Sequence, residues 1–144
     1  MSRRDRMGDA DEIFEILVIS YAQRGGALPA EAELCWRPAT DAYETEDAFV
    51  VQMDLAGMDP GGIEVLADAH NLLVRGIRQD TSVPGKKHFH EMEISVGPFS
   101  RRVPLSVPVD PGSARAVYRN GFLYVTFQKG SDRPAGGRQI AIDR

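Results

Sequence analysis

Cysteine is nearly absent from the sequence, with Cys35 as its one example among 144 residues. One cysteine cannot close a disulfide within the chain, which excludes the disulfide-stapled domains typical of secreted proteins. We therefore expect a cytoplasmic protein. Because no histidine lies close to it in sequence, we interpret Cys35 as an inert apolar residue beside Trp36.

Long apolar runs and a strong net charge are also lacking. The longest apolar stretch, Ile13–Ala22, is interrupted by Glu15 and is far shorter than the ~20 residues that a bilayer span needs. Acidic residues separate it from the preceding arginines, unlike a signal peptide, so we expect it in the mature protein. With 17 basic and 21 acidic residues, the net charge of -4 predicts no nucleic-acid partner and no membrane partner.

Catalytic and phosphate-binding motifs are missing as well. Gly85-Lys86 lacks the upstream glycine and the following hydroxyl residue of a phosphate loop, so we expect no use of ATP. No G-x-S-x-G nucleophile turn occurs. His88 and His90 share one face of a strand, and Glu93 or His70 would supply a third metal ligand. A metal-dependent hydrolase is thus a distant alternative, and we predict no enzyme, no cofactor and no metal site.

Residues 1–35 are predicted to form an amino-terminal arm with one helix. Asp9 and Glu12 have the spacing of a helix capping box, and Gly25-Gly26 supplies a stop, which predicts a helix over about 10–24. Nearly every face of this helix is apolar, so a neighbouring subunit, a bound client or the chain's own sandwich must cover it. The residues expected to contact clients or other subunits are Ile13, Phe14, Ile16, Leu17, Val18, Ile19 and Tyr21.

From Trp36 onward the apolar pattern changes from helical to alternating. Turn signals recur every eight to twelve residues, and Asn120-Gly121 is the strongest hairpin signal. The pattern predicts an all-β, immunoglobulin-like β-sandwich of about seven strands over 36–129. Residues 130–144 are glycine-rich at first and are predicted to form a flexible C-terminal extension.

Five motifs follow one another through this region and its tail. They are Pro38–Glu44, Asp54–Pro60 followed by Ile63, Gly97–Arg101, the Ala116–Leu123 segment with its Asn120-Gly121 pair, and Ile140-Ala141-Ile142. In this order they resemble the α-crystallin domain of the small heat-shock protein family. Three positions depart from the family pattern, since Ser106 replaces a usual proline, and Ile77 and Ile94 replace frequent charged residues.

The resemblance implies an ATP-independent holdase chaperone that binds partly unfolded proteins as an exchanging oligomer built from dimers. It also implies that Ile140 and Ile142 form a clip that enters a groove between two strands. The groove residues are expected to be Ile63 and Val65 on one strand and Ala114 and Ala116 on the other.

Extended geometry supports such a clip, because Ile140 and Ile142 project to the same side about 6.6 Å apart. Burial of the two isoleucines contributes roughly 3 to 6 kcal/mol. Ordering several tail residues costs about 1 to 2 kcal/mol each. A single clip is therefore expected to be weak and reversible.

The long loop from Gln79 to Glu91 resembles the segment that non-animal family members exchange with a dimer partner. The residues implied at the dimer interface are Phe89, Glu93 and Arg101, with Arg101 paired to carboxylates or to an ordinary surface partner. The main alternative is a monomeric co-chaperone adaptor of the related CS-domain type, which shares the sandwich. The apolar helix and the Ile140/Ile142 pair argue against that alternative.

Overall fold

Nine β-strands make up most of the part of the chain that the computed structural model describes, residues 36–130 and 137–144. The predicted arm, with its helix over 10–24, its seven contact residues and Cys35, lies outside this part. The strands are β1 Thr40–Glu44, β2 Ala48–Asp54, β3 Ile63–Ala67, β4 Asn71–Arg78, β5 Gly97–Pro104, β6 Arg115–Arg119, β7 Phe122–Gln128, β8 Arg138–Ile140 and β9 Ile142–Asp143. Two short 3-10 turns, Pro60–Gly62 and Pro111–Ser113, precede β3 and β6.

The strands form two sheets. One sheet has the order β1-β2-β7-β6-β9, and the other has the order β5-β4-β3-β8. All neighbouring strands are antiparallel except β6 and β9, which are parallel. The predicted all-β sandwich is confirmed, with seven strands between residues 40 and 128 and two more in the tail.

Alternation along the strands places one face of each sheet in a shared core. On β2, for example, Phe49, Val51 and Met53 are buried in the same core as Val65 of β3 and Val74 of β4, which belong to the other sheet. Fully burying such a side chain contributes about 1.5 to 3 kcal/mol, so this two-sheet contact supplies the main driving force for folding.

The hairpin between β6 and β7 confirms the turn expected at Asn120-Gly121. Asn120 has φ of 53° and Gly121 has φ of 83°. A two-residue hairpin of this kind requires positive φ at both positions, which asparagine and glycine tolerate best. The turn thereby sets the register that pairs Ala116 with Val125.

Candidate assembly interfaces

Two similar turns precede β3 and β6. The sequences Asp59-Pro60-Gly61 and Asp110-Pro111-Gly112 each form a 3-10 turn whose aspartate accepts a hydrogen bond from the glycine N–H, at 3.0 Å and 2.8 Å respectively. The proline fixes φ at the first position of each turn. β3 and β6 leave these turns as the last strands of their sheets before the tail adds β8 and β9.

The C-terminal tail pairs with both strands. Ile140 lies opposite Val65 in an antiparallel pair, and Ile142 lies opposite Ala116 in a parallel pair. Ala141 stands between the two short strands, so the chain crosses from one sheet to the other at this residue. Ile140 is only 9% exposed and belongs to the core, and Ile142 is partly buried and packs against the same core. The tail therefore connects the two sheets along one side of the sandwich.

The four predicted groove residues differ in their relation to the tail. Val65 and Ala116 are the backbone partners of the two isoleucines. Ile63 is buried in β3, and Ala114 is half-buried beside the core just before β6. Neither of these two is in register with a tail residue. The sequence did not indicate that the tail pairs antiparallel with β3 in one sheet and parallel with β6 in the other.

Arg144 adds a contact at the rim of this groove. Its Nη2 atom lies 3.4 Å from Oδ1 of Asp59, and both side chains are largely exposed. An exposed pair of this kind contributes little to stability. The isoleucines, and not the terminal charge, thus account for the tail contact.

The loop between β4 and β5 exposes apolar side chains in an alternating pattern. Met92 and Ile94 are 71% and 77% exposed, and they alternate with acidic Glu91 and Glu93. Phe89 is also exposed. Alternation is typical of a strand, yet this segment has no strand partner among the described residues. The segment therefore has the residue pattern of a strand but pairs with none of the described strands.

Contacts of Arg78 and Trp36 hold the two ends of this loop together. Arg78 stacks over the Trp36 ring, 4.2 Å from its centroid, and its Nε donates a hydrogen bond of 2.7 Å to the Ser95 carbonyl. The Trp36 indole N–H donates to the Gly97 carbonyl at 2.9 Å. A cleft of about 730 Å³ lies between the loop and the chain that enters β1. The sequence contains no local signal for this role of Arg78 and Trp36.

A sheet edge lies at the same end of the molecule. β1 pairs only with β2, and four of its five residues are exposed. Arg101, on β5, donates from Nη1 to the Pro38 carbonyl at 3.4 Å, while its Nε is buried without a hydrogen-bond partner. The exposed Glu93 lies on the loop. Pairing of Arg101 with a carboxylate across a dimer stays a prediction.

The structure places His88 and His90 in the exposed part of the loop. Within residues 36–130 and 137–144, no three side chains of the His, Cys, Asp or Glu type are grouped to hold one metal ion. Over the same residues, no helix has the length and apolar character needed to cross a membrane.

Comparison with known proteins identifies the family. Residues 41–143 match the model of the Hsp20/alpha crystallin family. The chain belongs to this family. It is 30% identical over 133 residues to the 16.9 kDa class I heat shock protein 3 of Oryza sativa, with 92% of this chain and 85% of the relative covered.

Two solved small heat-shock protein structures have a similar fold. The hspA structure from Xanthomonas axonopodis is 35% identical, with a TM-score of 0.60 over 69% of this chain and 98% of that one. A small heat-shock protein from Xylella fastidiosa, described as having a distinct high order structure, is 33% identical. Its TM-score is 0.58 over 69% of this chain and 93% of that one.

Several relatives are longer than the matched region, and this chain spans 32% to 60% of the length of three of them. The family comprises ATP-independent chaperones and not enzymes. Membership of this family gives no support to the metal-dependent hydrolase alternative.

Proposed function

We propose that this protein is an ATP-independent holdase that keeps partly unfolded proteins from aggregating under stress, working in the cytoplasm. The observation that carries the proposal is the pairing of the tail with both sheets through Ile140 and Ile142. The tail contact consists of two isoleucine side chains and five backbone-paired residues, so it opens without unfolding the other strands. A chaperone of this kind needs a surface that is covered at rest and exposed on demand.

The same tail pairing supports assembly into exchanging oligomers. The structure contains one chain, and its tail lies on its own groove. In an oligomer, every groove can receive its own tail or the tail of a neighbour through the same contacts, so the two arrangements differ little in free energy. Many such weak bonds hold a particle together while each one opens often.

Dimers are the proposed building block of these oligomers. In this arrangement the Met92–Ile94 segment of one subunit adds to the free edge of β1 in its partner, as an added strand. The alternating exposed side chains of the loop and the open edge of β1 support this pairing. Arg101 then meets a carboxylate of the partner, and its buried Nε gains an acceptor.

The experiment that tests the proposal measures particle mass and client protection in one preparation. Purified full-length protein is expected to form oligomers by light scattering and to suppress the turbidity of a heated client enzyme without ATP. Protection by oligomers that requires ATP would contradict the holdase mechanism. A monomer that gives no protection would contradict the proposal and favour the CS-domain type of co-chaperone adaptor.

A further inference from the structure

The outer face of the four-stranded sheet carries two buried leucines where a solvent-facing surface is expected. Leu66 and Leu73 lie directly opposite each other on β3 and β4, with 1% and 0% of their surface exposed. They form a small cluster separate from the core between the sheets. The residues in register on either side, Gln139 and Arg102, are polar. Outer faces of antiparallel sandwiches usually carry exposed polar residues, so two leucines buried on such a face indicate that another segment covers them.

A buried arginine lies beside the two leucines. Arg75 is two residues beyond Leu73 on β4, hence on the same face, and only 1% of it is exposed. Its Nε donates to Oε2 of Glu64 at 2.8 Å, whereas Nη1 and Nη2 are buried without any hydrogen-bond partner. Burying a guanidinium with two unpaired nitrogens costs free energy, and these two nitrogens have the geometry to donate to a second carboxylate. The face therefore fits a segment that is apolar and carries one acidic group.

One segment of this chain has that composition. Within Ile13–Ala22, Glu15 is the only charged residue, so an apolar contact of this segment would bury a carboxylate. We propose that Ile13–Ala22 docks on the outer face of its own four-stranded sheet, covers the two leucines and pairs Glu15 with Arg75. Each partner then satisfies a buried charge that is costly when left alone.

Chain connectivity favours docking on the same chain. The described chain begins at Trp36, which bridges Phe99 on β5, the edge strand of the same sheet. The fourteen residues 23–36 can span at most about 50 Å when extended, so reach does not limit the contact. The inference goes beyond the proposed function, since it names where the arm expected to contact clients is held at rest.

Crosslinking of the full-length protein tests the docking. In a Cys35→Ser background, cysteines replace Ile16, which is next to Glu15 in the sequence, and Ser100, which lies opposite Arg75 on the same face, so the proposed Glu15–Arg75 pair stays in place. A short bismaleimide is expected to link them within one chain, as shown by mass spectrometry on a mixture of isotopically labelled and unlabelled protein. The control pairs Ile16→Cys with Thr126→Cys, since Thr126 lies beside Val50 in the other sheet.

Three crosslinking outcomes would overturn the inference. They are no link to position 100, links of equal yield to positions 100 and 126, and links to position 100 only between labelled and unlabelled chains. The reaction contains no client protein. Docking without client protection would therefore refute only the proposed function, and client protection without docking would refute only this inference.

A double-mutant cycle tests the ion pair. Arg75→Met and Glu15→Gln are each expected to speed proteolysis of the arm about tenfold, because a hydrogen bond to a charged group is lost. The double variant is expected to be no faster than either single variant. Glu64→Gln, which weakens the other ion pair of Arg75 and leaves Glu15 unchanged, is the control. Two results would contradict the pairing. In one, the increases in proteolysis rate multiply in the double variant. In the other, neither single variant changes the rate although its β-sheet spectrum is intact.

Discussion

At the residue scale, several positions have a role that local sequence predicts, and others do not. The turn at Asn120-Gly121 was predicted because a turn with two positive φ angles strongly favours asparagine followed by glycine. Arg75 and Arg78 carried no such signal. Their roles depend on Glu64 and on Trp36, and no local periodicity reports which distant residue a charged side chain will meet.

Gly76 offers a prediction at this scale. A Cβ atom there would lie 2.7 Å from the Gly62 carbonyl oxygen and from the Phe99 ring. Gly76→Ala is therefore expected to lower the free energy of unfolding by about 1 to 3 kcal/mol through overpacking. Urea titration followed by circular dichroism measures the change. Gly62→Ala, where a Cβ atom meets nothing within 4 Å, is the control, and equal losses in both variants would contradict the packing argument.

At the element scale, the strands were predicted more completely than their partners. The alternating residues of β2 and the apolar positions of β3 and β4 were identified, because one face of each strand enters the core. The pairing of Val65 with Ile140 joins segments 75 residues apart, and no local pattern specifies it. Leu66 and Leu73 break the alternation of β3 and β4, and their place on the outer face became evident only from the strand register.

The tail gives the first prediction for an element. Replacing Ile140 and Ile142 with glycine removes the side chains that hold β8 and β9, so oligomers are expected to shrink to dimers while the β-sheet spectrum stays intact. Light scattering and circular dichroism measure the two effects. Ala141→Gly, at the unpaired exposed position between them, is the control for added flexibility. Unchanged particle size in the double isoleucine variant would contradict assembly through the tail.

The loop gives the second prediction for an element. Ile94→Ser removes an apolar side chain that is 77% exposed in the single chain. If the side chain is buried in a dimer, its loss costs about 1.5 kcal/mol or more and weakens dimerisation about tenfold. Sedimentation of the dimeric tail variant measures this. Val83→Ser, in the same loop and 81% exposed, is the control. Equal effects of both substitutions would argue against a specific role for the alternating segment.

At the scale of the whole molecule, the sandwich forms the stable core, and the tail and the loop between β4 and β5 are proposed to make the reversible contacts between subunits. The fold class was predicted from the sequence because alternation and turn signals are properties of short segments. The proposed assembly is less predictable from the sequence, because it depends on which sheet edge the tail and the loop meet. The tail joins the two sheet edges at β3 and β6, so opening this contact withdraws Ile140 from the core and leaves the core residues of the other strands in place.

Subunit exchange tests this account most directly. Equal amounts of isotopically labelled and unlabelled full-length protein are mixed, and native mass spectrometry follows the composition of the oligomers with time. The account predicts that mixed oligomers form and approach a random distribution of the two subunits without any denaturant. Oligomers that stay fully labelled or fully unlabelled, while the dimers of the tail variant still mix, would contradict the reversible clip.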